Sequence, residues 1–279
     1  MIEPIVAYEP LLRLGCFSGV FVLVALWEVW LPRRQLQYSK RIRWMGNLGI
    51  VLINTGLLRI LVPTAAVGFA FVVDEAGWGL LNQLPIPDWT TFFLAVICLD
   101  LAIYLQHVLF HAVPALWRVH RVHHADLDFD VTTGLRFHPI EILLSTGIKL
   151  GVIAVLGAPA VAVLTFEILL NATSMFNHGN IRLPINVDRV LRWIVVTPDM
   201  HRVHHSITPT ETNSNFGFNL TCWDRLLGTY RAQPFAGHED MIIGIEQFRD
   251  PRDLGIDRMF IQPFRGTSGS YAINRSDRA

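Results

Sequence analysis

YLQHVLFHAVPALWRVHRVHH, Tyr104 to His124, carries five histidines in two spacings. His107 and His111 stand four apart, and His120, His123 and His124 form H-x-x-H-H. The second half repeats the latter pattern in TPDMHRVHH, with His201, His204 and His205. Helix positions i, i+3 and i+4 share a face, and neutral imidazole is the commonest protein metal ligand. Adjacent rings on a helix diverge by about 100°, so each His-His pair is expected to serve two ions. A dinuclear centre follows. His138 and His178 complete ten candidate ligands: His107, His111, His120, His123, His124, His138, His178, His201, His204 and His205. That is about five per ion, more nitrogen than the three or four ligands of usual zinc sites. It suits iron with an open position, with zinc and manganese as alternatives. His238, in a polar tail, is read as an ordinary hydrogen-bonded residue.

The surrounding composition points to a membrane. The chain is 52% hydrophobic and 16% charged, against about 25% charged in soluble domains, and its mean hydropathy is +0.38. Twenty-three basic and 23 acidic residues cancel, which argues against a nucleic-acid partner. Cys16, Cys98 and Cys222 suggest no disulfide framework. Met1 to Pro10 lacks the features of a signal peptide. Apolar runs cover Leu11–Leu31, Gly46–Val73 (broken at Pro63) and Thr90–Phe110. Ile142–Ala172 is a fourth, split by Gly157 to Pro159 into halves short of the roughly 20 residues of a crossing. A hairpin that enters and returns is expected there, and Arg182–Val196 reads as an interfacial helix. Pro32–Trp44 carries Arg33, Arg34, Lys40, Arg41 and Arg43 with no acid, whereas Asp74–Asp88 has acids and neither Lys nor Arg. The positive-inside rule then puts the basic loop, and the end of the third span with His107 and His111, on the cytoplasmic face.

The expected fold is an all-α integral membrane protein. It has about four to five membrane helices or re-entrant segments, and a cytoplasmic helical cap carrying a poly-histidine dimetal site. Residues 1–90 form the N-terminal membrane helices and loops, 91–231 the catalytic domain. Residues 232–279 form a cytoplasmic tail packed on the site and frayed after about Arg265.

Several polar residues are candidates for supporting roles. Asp100 shares a helical stripe with Tyr104, His107 and His111, but lies about 10 Å from His107 along the axis. It is expected to support the site or a substrate tunnel, or to pair with a polar neighbour such as Arg59. Glu141 is expected to orient a ligating ring by accepting its second N–H, Asn180 to hydrogen-bond near His178, and Asp224 to support a ligand. Asp126, Asp128 and Asp130 offer either further carboxylates or a solvated acidic loop. Glu167 is a tunnel residue or a buried paired acid. Arg118 and Arg121 could reach lipid phosphates or a partner.

The set H-x-x-x-H, H-x-x-H-H, a single histidine in FNHGN (Phe176–Asn180) and a second H-x-x-H-H resembles the fatty acid hydroxylase superfamily, also called the sterol desaturase family. RFHPIE (Arg136–Glu141), NFG (Asn215–Gly217) and WDRLLGTY (Trp223–Tyr230) extend the likeness over roughly Thr91–Arg231. The resemblance implies a membrane di-iron oxygenase that uses O2 and external electrons to hydroxylate or desaturate lipids. The expected reaction is oxidation of a membrane lipid, hydroxylation before desaturation, on a sterol, fatty acyl, sphingoid or alkyl-ether substrate. No haem or flavin module is recognisable, so electrons would come from a separate reductase, ferredoxin or cytochrome. A non-catalytic metal transporter would instead string ligands along the spans, and a bis-histidine haem carrier would use single facing histidines. Neither H-E-x-x-H nor E-x-x-H occurs, which removes the simplest zinc protease and the carboxylate-bridged bundle sites.

Overall fold

The computed structural model describes residues 8–273. Residues 1–7, which include most of the N-terminal stretch read above for a signal peptide, and 274–279, the end of the expected tail, lie outside the described residues. Nine helices organise the rest: α1 Glu9–Trp30, α2 Lys40–Leu61, α3 Ala65–Glu75, α4 Asp88–Ala112, α5 Pro114–His124, α6 Pro139–Leu156, α7 Ala160–Asn177, α8 Ile185–Leu191 and α9 Pro198–His204. Shorter turns follow, among them Cys222–Leu226 and Ile256–Ile261. No strand occurs among the described residues, which contain only isolated bridges.

Among the described residues, five segments are long and apolar enough to cross a membrane: α1, α2 with α3, α4, α6 and α7. Their outward faces carry large apolar side chains, including Leu23, Leu52, Ile60 and Val155. In water that display would be unfavourable; against lipid it is the expected surface. The α2–α3 break falls at Pro63, which has no N–H to continue a helical ladder.

The segments alternate in direction, and local contacts fix which ends meet. At one end, Pro32 bridges Ile181, and Arg43 near the start of α2 reaches Asp126 after α5. At the other end, Gly157 closes α6 in the left-handed conformation (φ +69°). A Cβ on Gly79 would lie 2.0 Å from the Gly157 nitrogen, so two glycines let these turns touch. The α6–α7 hairpin therefore reaches as deep as the turn between α3 and α4. Each arm has 18 residues, about 27 Å at 1.5 Å per residue, rather than the short halves expected. Both arms qualify as spans. α5 and the chain after Asn177 gather at the end where α1 finishes and α2 starts.

That end is held by buried charge. Arg43, fully buried, binds Asp126 through two nitrogens (2.7 and 2.9 Å) and Asp130 at 2.6 Å. Asp128 accepts the Gln37 and Tyr38 N–H groups at 2.7 and 2.8 Å. The acidic run is thus neither a solvated loop nor part of a metal site; it fastens the α5–α6 connection onto α2. Arg33 pairs with Asp199 and Glu239, and Lys40 with Glu28, so acids from distant segments offset the basic loop. Arg118 and Arg121 also turn inward. They donate to the backbone carbonyls of Pro263 (2.6 Å) and Gln262 (2.5 Å), clamping the C-terminal segment. That segment is packed well past Arg265: Tyr271 and Ala272 are buried, Trp117 Nε1 donates to Ser268 O at 2.9 Å, and Ile273 N donates to His111 O at 2.9 Å.

Candidate metal centre

Proline starts both cap helices that bear H-x-x-H-H. Pro114 opens α5 and Pro198 opens α9, where its missing N–H has no intrahelical partner to lose. Thr197 caps α9 by accepting Met200 N–H. α4 brings His107 and His111 up from the span, and His178 lies just past the end of α7.

These elements converge nine imidazoles into two groups. One contains His107, His111, His120, His124 and His204; the other contains His123, His178, His201 and His205. Within each group the ligand atoms lie within 4.8 Å of one another, and every ring is buried. Each adjacent pair is split: His123 and His124 go to different groups, as do His204 and His205.

The Nε2 atoms face each other. His107 Nε2 lies 3.1 Å from that of His120 and 3.0 Å from that of His204. His178 Nε2 lies 3.1 to 3.2 Å from those of His123, His201 and His205. The other ring nitrogen shows why these are not ordinary hydrogen bonds. His107 Nδ1–H donates to Phe216 O (2.7 Å), His204 Nδ1–H to Ser214 O (2.7 Å) and His178 Nδ1–H to Ser174 O (2.7 Å). His120 Nδ1–H donates to Glu141 Oε1 at 2.6 Å and His111 Nδ1–H to Asn213 Oδ1 at 3.0 Å. A neutral imidazole has one N–H, so in these rings Nε2 carries only a lone pair. His107, His120 and His204 therefore aim three lone pairs at one point. Burial, with the neighbouring imidazoles second, lowers the pKa of His123, His124 and His204 well below the ordinary histidine value. Protonation of those three rings is disfavoured. A shared cation would relieve the contacts: two nitrogens bound to one ion at about 2.1 Å and at right angles lie about 3.0 Å apart. The donor set fits a metal ion in each group.

The orienting bonds are uneven. Four of five rings in the first group have an Nδ1 partner, against His178 alone in the second; Nδ1 of His123, His201 and His205 has none. His123 instead stacks on Phe137, with centroids 4.4 Å apart.

His138, the tenth candidate, belongs to neither group. Its Nδ1 accepts the Ile140 N–H at 3.1 Å, capping α6, and its Nε2 lies 3.3 Å from Phe260 O. Both nitrogens are in use, so it is a helix cap. Glu141 meets His120 rather than its sequence neighbour His138. Asp100 accepts from Asn219 and Trp223, both at 2.8 Å, and not from Arg59. Asp224 accepts the N–H groups of Phe216 (2.8 Å) and Gly217 (2.9 Å), steadying the peptide whose carbonyl holds His107. Asn180 is exchanged with Arg34, accepting at 3.1 Å and donating at 2.8 Å; it ties the α1–α2 loop to the start of the cap and touches no ligand ring. Asp100, Asp224 and Asn180 thus act on loops rather than on reacting atoms. Asn213, Ser214 and Phe216 were missed by the sequence reading. Two of the three act through backbone carbonyls, which leave no mark in side-chain identity. His238 sits 3.6 Å from Asp199 and outside both groups.

A cavity of about 640 Å³ opens between α1, α2, α4, α6 and α7, and His107, His120 and Glu141 form part of its wall. The second group has no residue on it.

Residues 92–229 match the family model described as fatty acid hydroxylase. Similar proteins include the ornithine lipid hydroxylase OlsE of Rhizobium tropici, 28% identical over 81% of this chain and 69% of that protein. An alkylglycerol monooxygenase of Xenopus tropicalis is 31% identical over 67% of this chain but only 42% of its own length. A cholesterol 25-hydroxylase of Mus musculus is 30% identical over 50% and 47%. The chain thus spans less than half of the latter two. No solved structure matches it significantly. With its paired histidine groups at the end of five apolar segments, the chain belongs to the fatty acid hydroxylase superfamily.

Proposed function

We propose that this protein is an O2-dependent lipid hydroxylase whose nine clustered histidines hold two iron ions. One observation carries the reading: His107 and His120 are at once members of the five-histidine group and part of the wall of a cavity among membrane segments. A C–H bond of a lipid in that cavity lies beside the ligand rings. The overall reaction is R–H + O2 + 2e⁻ + 2H⁺ → R–OH + H2O, with the electrons supplied by a separate protein donor. Bound iron supplies O2 activation. The chain supplies the rest: nine imidazoles, five of them (His107, His111, His120, His178 and His204) fixed by Nδ1 hydrogen bonds, a cavity that positions the lipid, and a buried site that limits water. The names of the three relatives, hydroxylase or monooxygenase, favour oxygen insertion over desaturation. A transporter would need ligands along the spans, whereas these nine gather at one end. We place that end on the cytoplasmic side, because Arg41 remains exposed in the basic loop.

The test is a lipid mass comparison under ¹⁸O2 between host cells carrying the wild-type chain and cells carrying His204→Ala. A lipid gaining one labelled oxygen only with the wild type supports the proposal. One losing two hydrogens without label makes the protein a desaturase, and identical lipidomes refute both.

A further inference from the structure

The cavity is lined mainly by apolar side chains, but it also holds polar and charged groups, and these are divided between two regions. Near the histidines, Asn54, Gln106 and Glu141 line it. Each has an oxygen with no hydrogen-bond partner: Asn54 Oδ1, Gln106 Oε1 and Glu141 Oε2. Asn54 and Glu141 are only 6% and 4% exposed, and an unpaired buried acceptor is costly. The other atoms of these groups are engaged, Asn54 Nδ2 with Phe137 O and Gln106 Nε2 with Ser145 Oγ. What is left over is acceptor capacity alone.

The far wall has the opposite character. Arg13, Arg59 and Lys149 line it together with Glu9 and Glu167, three cations to two acids. Glu167 pairs with both Arg13 and Lys149, and Arg13 also pairs with Glu9. Arg59 has no ion pair among the described residues. Lys149 and Glu167 sit near the middle of α6 and α7, where ionisable groups are expensive and usually functional. Glu141, Ser145 and Lys149 lie at four-residue intervals on α6. The acceptor and cation regions are therefore separated by about 12 Å along that helix.

We propose that the cavity is a headgroup site. Its ligand is a lipid whose head combines N–H or O–H donors, taken up by Asn54, Gln106 and Glu141, with an anionic carboxylate or phosphate taken up by Arg59, Arg13 and Lys149. A plain alkyl chain fills neither requirement, and a sterol, with one hydroxyl and no anionic group, fills only the first. This deepens the lipid hydroxylase reading and rests on it. The two anchor regions hold the lipid at a set depth, so the oxidised carbon is chosen by its distance from the charged group.

The test is equilibrium binding to the purified full-length protein in detergent without O2, so that no turnover occurs. Three radiolabelled probes are compared: N-palmitoyl-ornithine (carboxylate and amine), dioleoyl phosphatidylethanolamine (phosphate and amine) and cholesterol. Saturable binding of either polar probe, weakened about tenfold or more by Arg59→Ala, is expected, and which one binds tells carboxylate from phosphate. Arg59 is exposed and unpaired, so this variant should fold; Asn54→Leu probes the acceptor end. Unchanged polar-lipid affinity in Arg59→Ala, or saturable binding of cholesterol alone, overturns the proposal. Head-dependent binding without any oxygenation in the ¹⁸O2 experiment would refute the hydroxylase reading and leave the headgroup site standing.

Discussion

Glu141 Oε1 accepts the Nδ1 proton of His120 at 2.6 Å, although 21 positions separate them. A carboxylate so placed would orient the ring and raise its basicity toward a bound metal. Glu141→Gln keeps the shape and removes the charge. Metal affinity or turnover should fall about 10- to 100-fold, read by metal titration and by product formation. Wild-type values for both would show that the contact is incidental.

His123 and His124 are neighbours in the chain but belong to different groups. His123→Ala and His124→Ala should each leave a protein that still inserts in membranes, has lost turnover, and binds about one metal instead of about two. Elemental analysis decides this. If the wild type holds a single ion, the two-group assignment fails.

Opposed lone pairs make the empty centre unfavourable. Stripping metal with a chelator should lower the melting temperature by on the order of 10 °C, from a linkage term of about 4 kcal/mol. Readdition should restore it. A melting curve indifferent to metal would mean that the rings are held by the scaffold alone.

Arg43 and Asp126 form the central pair under the cap. Burial opposes ionisation of Asp126, but the Arg43 guanidinium, with hydrogen bonds from Arg43 and Thr133, outweighs it and holds the carboxyl well below its ordinary value. The folded pKa is depressed, so the contribution is complete above about pH 4 and is lost as pH falls further. Stability between neutral and mildly acidic pH should not report on this pair. Asp126→Asn should cost about 3–5 kcal/mol by leaving a buried guanidinium without its charge partner, measured by thermal or denaturant unfolding. A loss below 1 kcal/mol would show that Asp130 alone suffices.

A small peptide tag inserted beside Arg41 should be shielded from an impermeant antibody in intact cells and exposed after lysis. Detection from outside would reverse the orientation proposed for the metal end.

The sequence was most informative where chemistry repeats at helical spacing. H-x-x-H-H marks candidate ligands because a helix fixes the angle between neighbouring rings, and the structure puts His123 and His124, and His204 and His205, in different groups. Pro114 and Pro198 at the first positions of α5 and α9 are local signals of the same kind, since a missing N–H costs nothing there. His138 was misread because its spacing to Glu141 resembles a ligand and its support, whereas Pro139 next to it makes it a helix cap. Asp126, Asp128 and Asp130 could not be assigned from the line of sequence, because Arg43, 83 positions before Asp126, decides their role. The carbonyls of Ser214 and Phe216 were invisible for a different reason: every residue has one.

The contact between Ile273 N and His111 O has a consequence for synthesis. All nine clustered histidines leave the ribosome before the segment that closes over His111 and Trp117. The apolar segments can therefore be in the bilayer while the cap is still unsealed on one side. The order of translation makes this segment a late addition to the packing around α4 and α5.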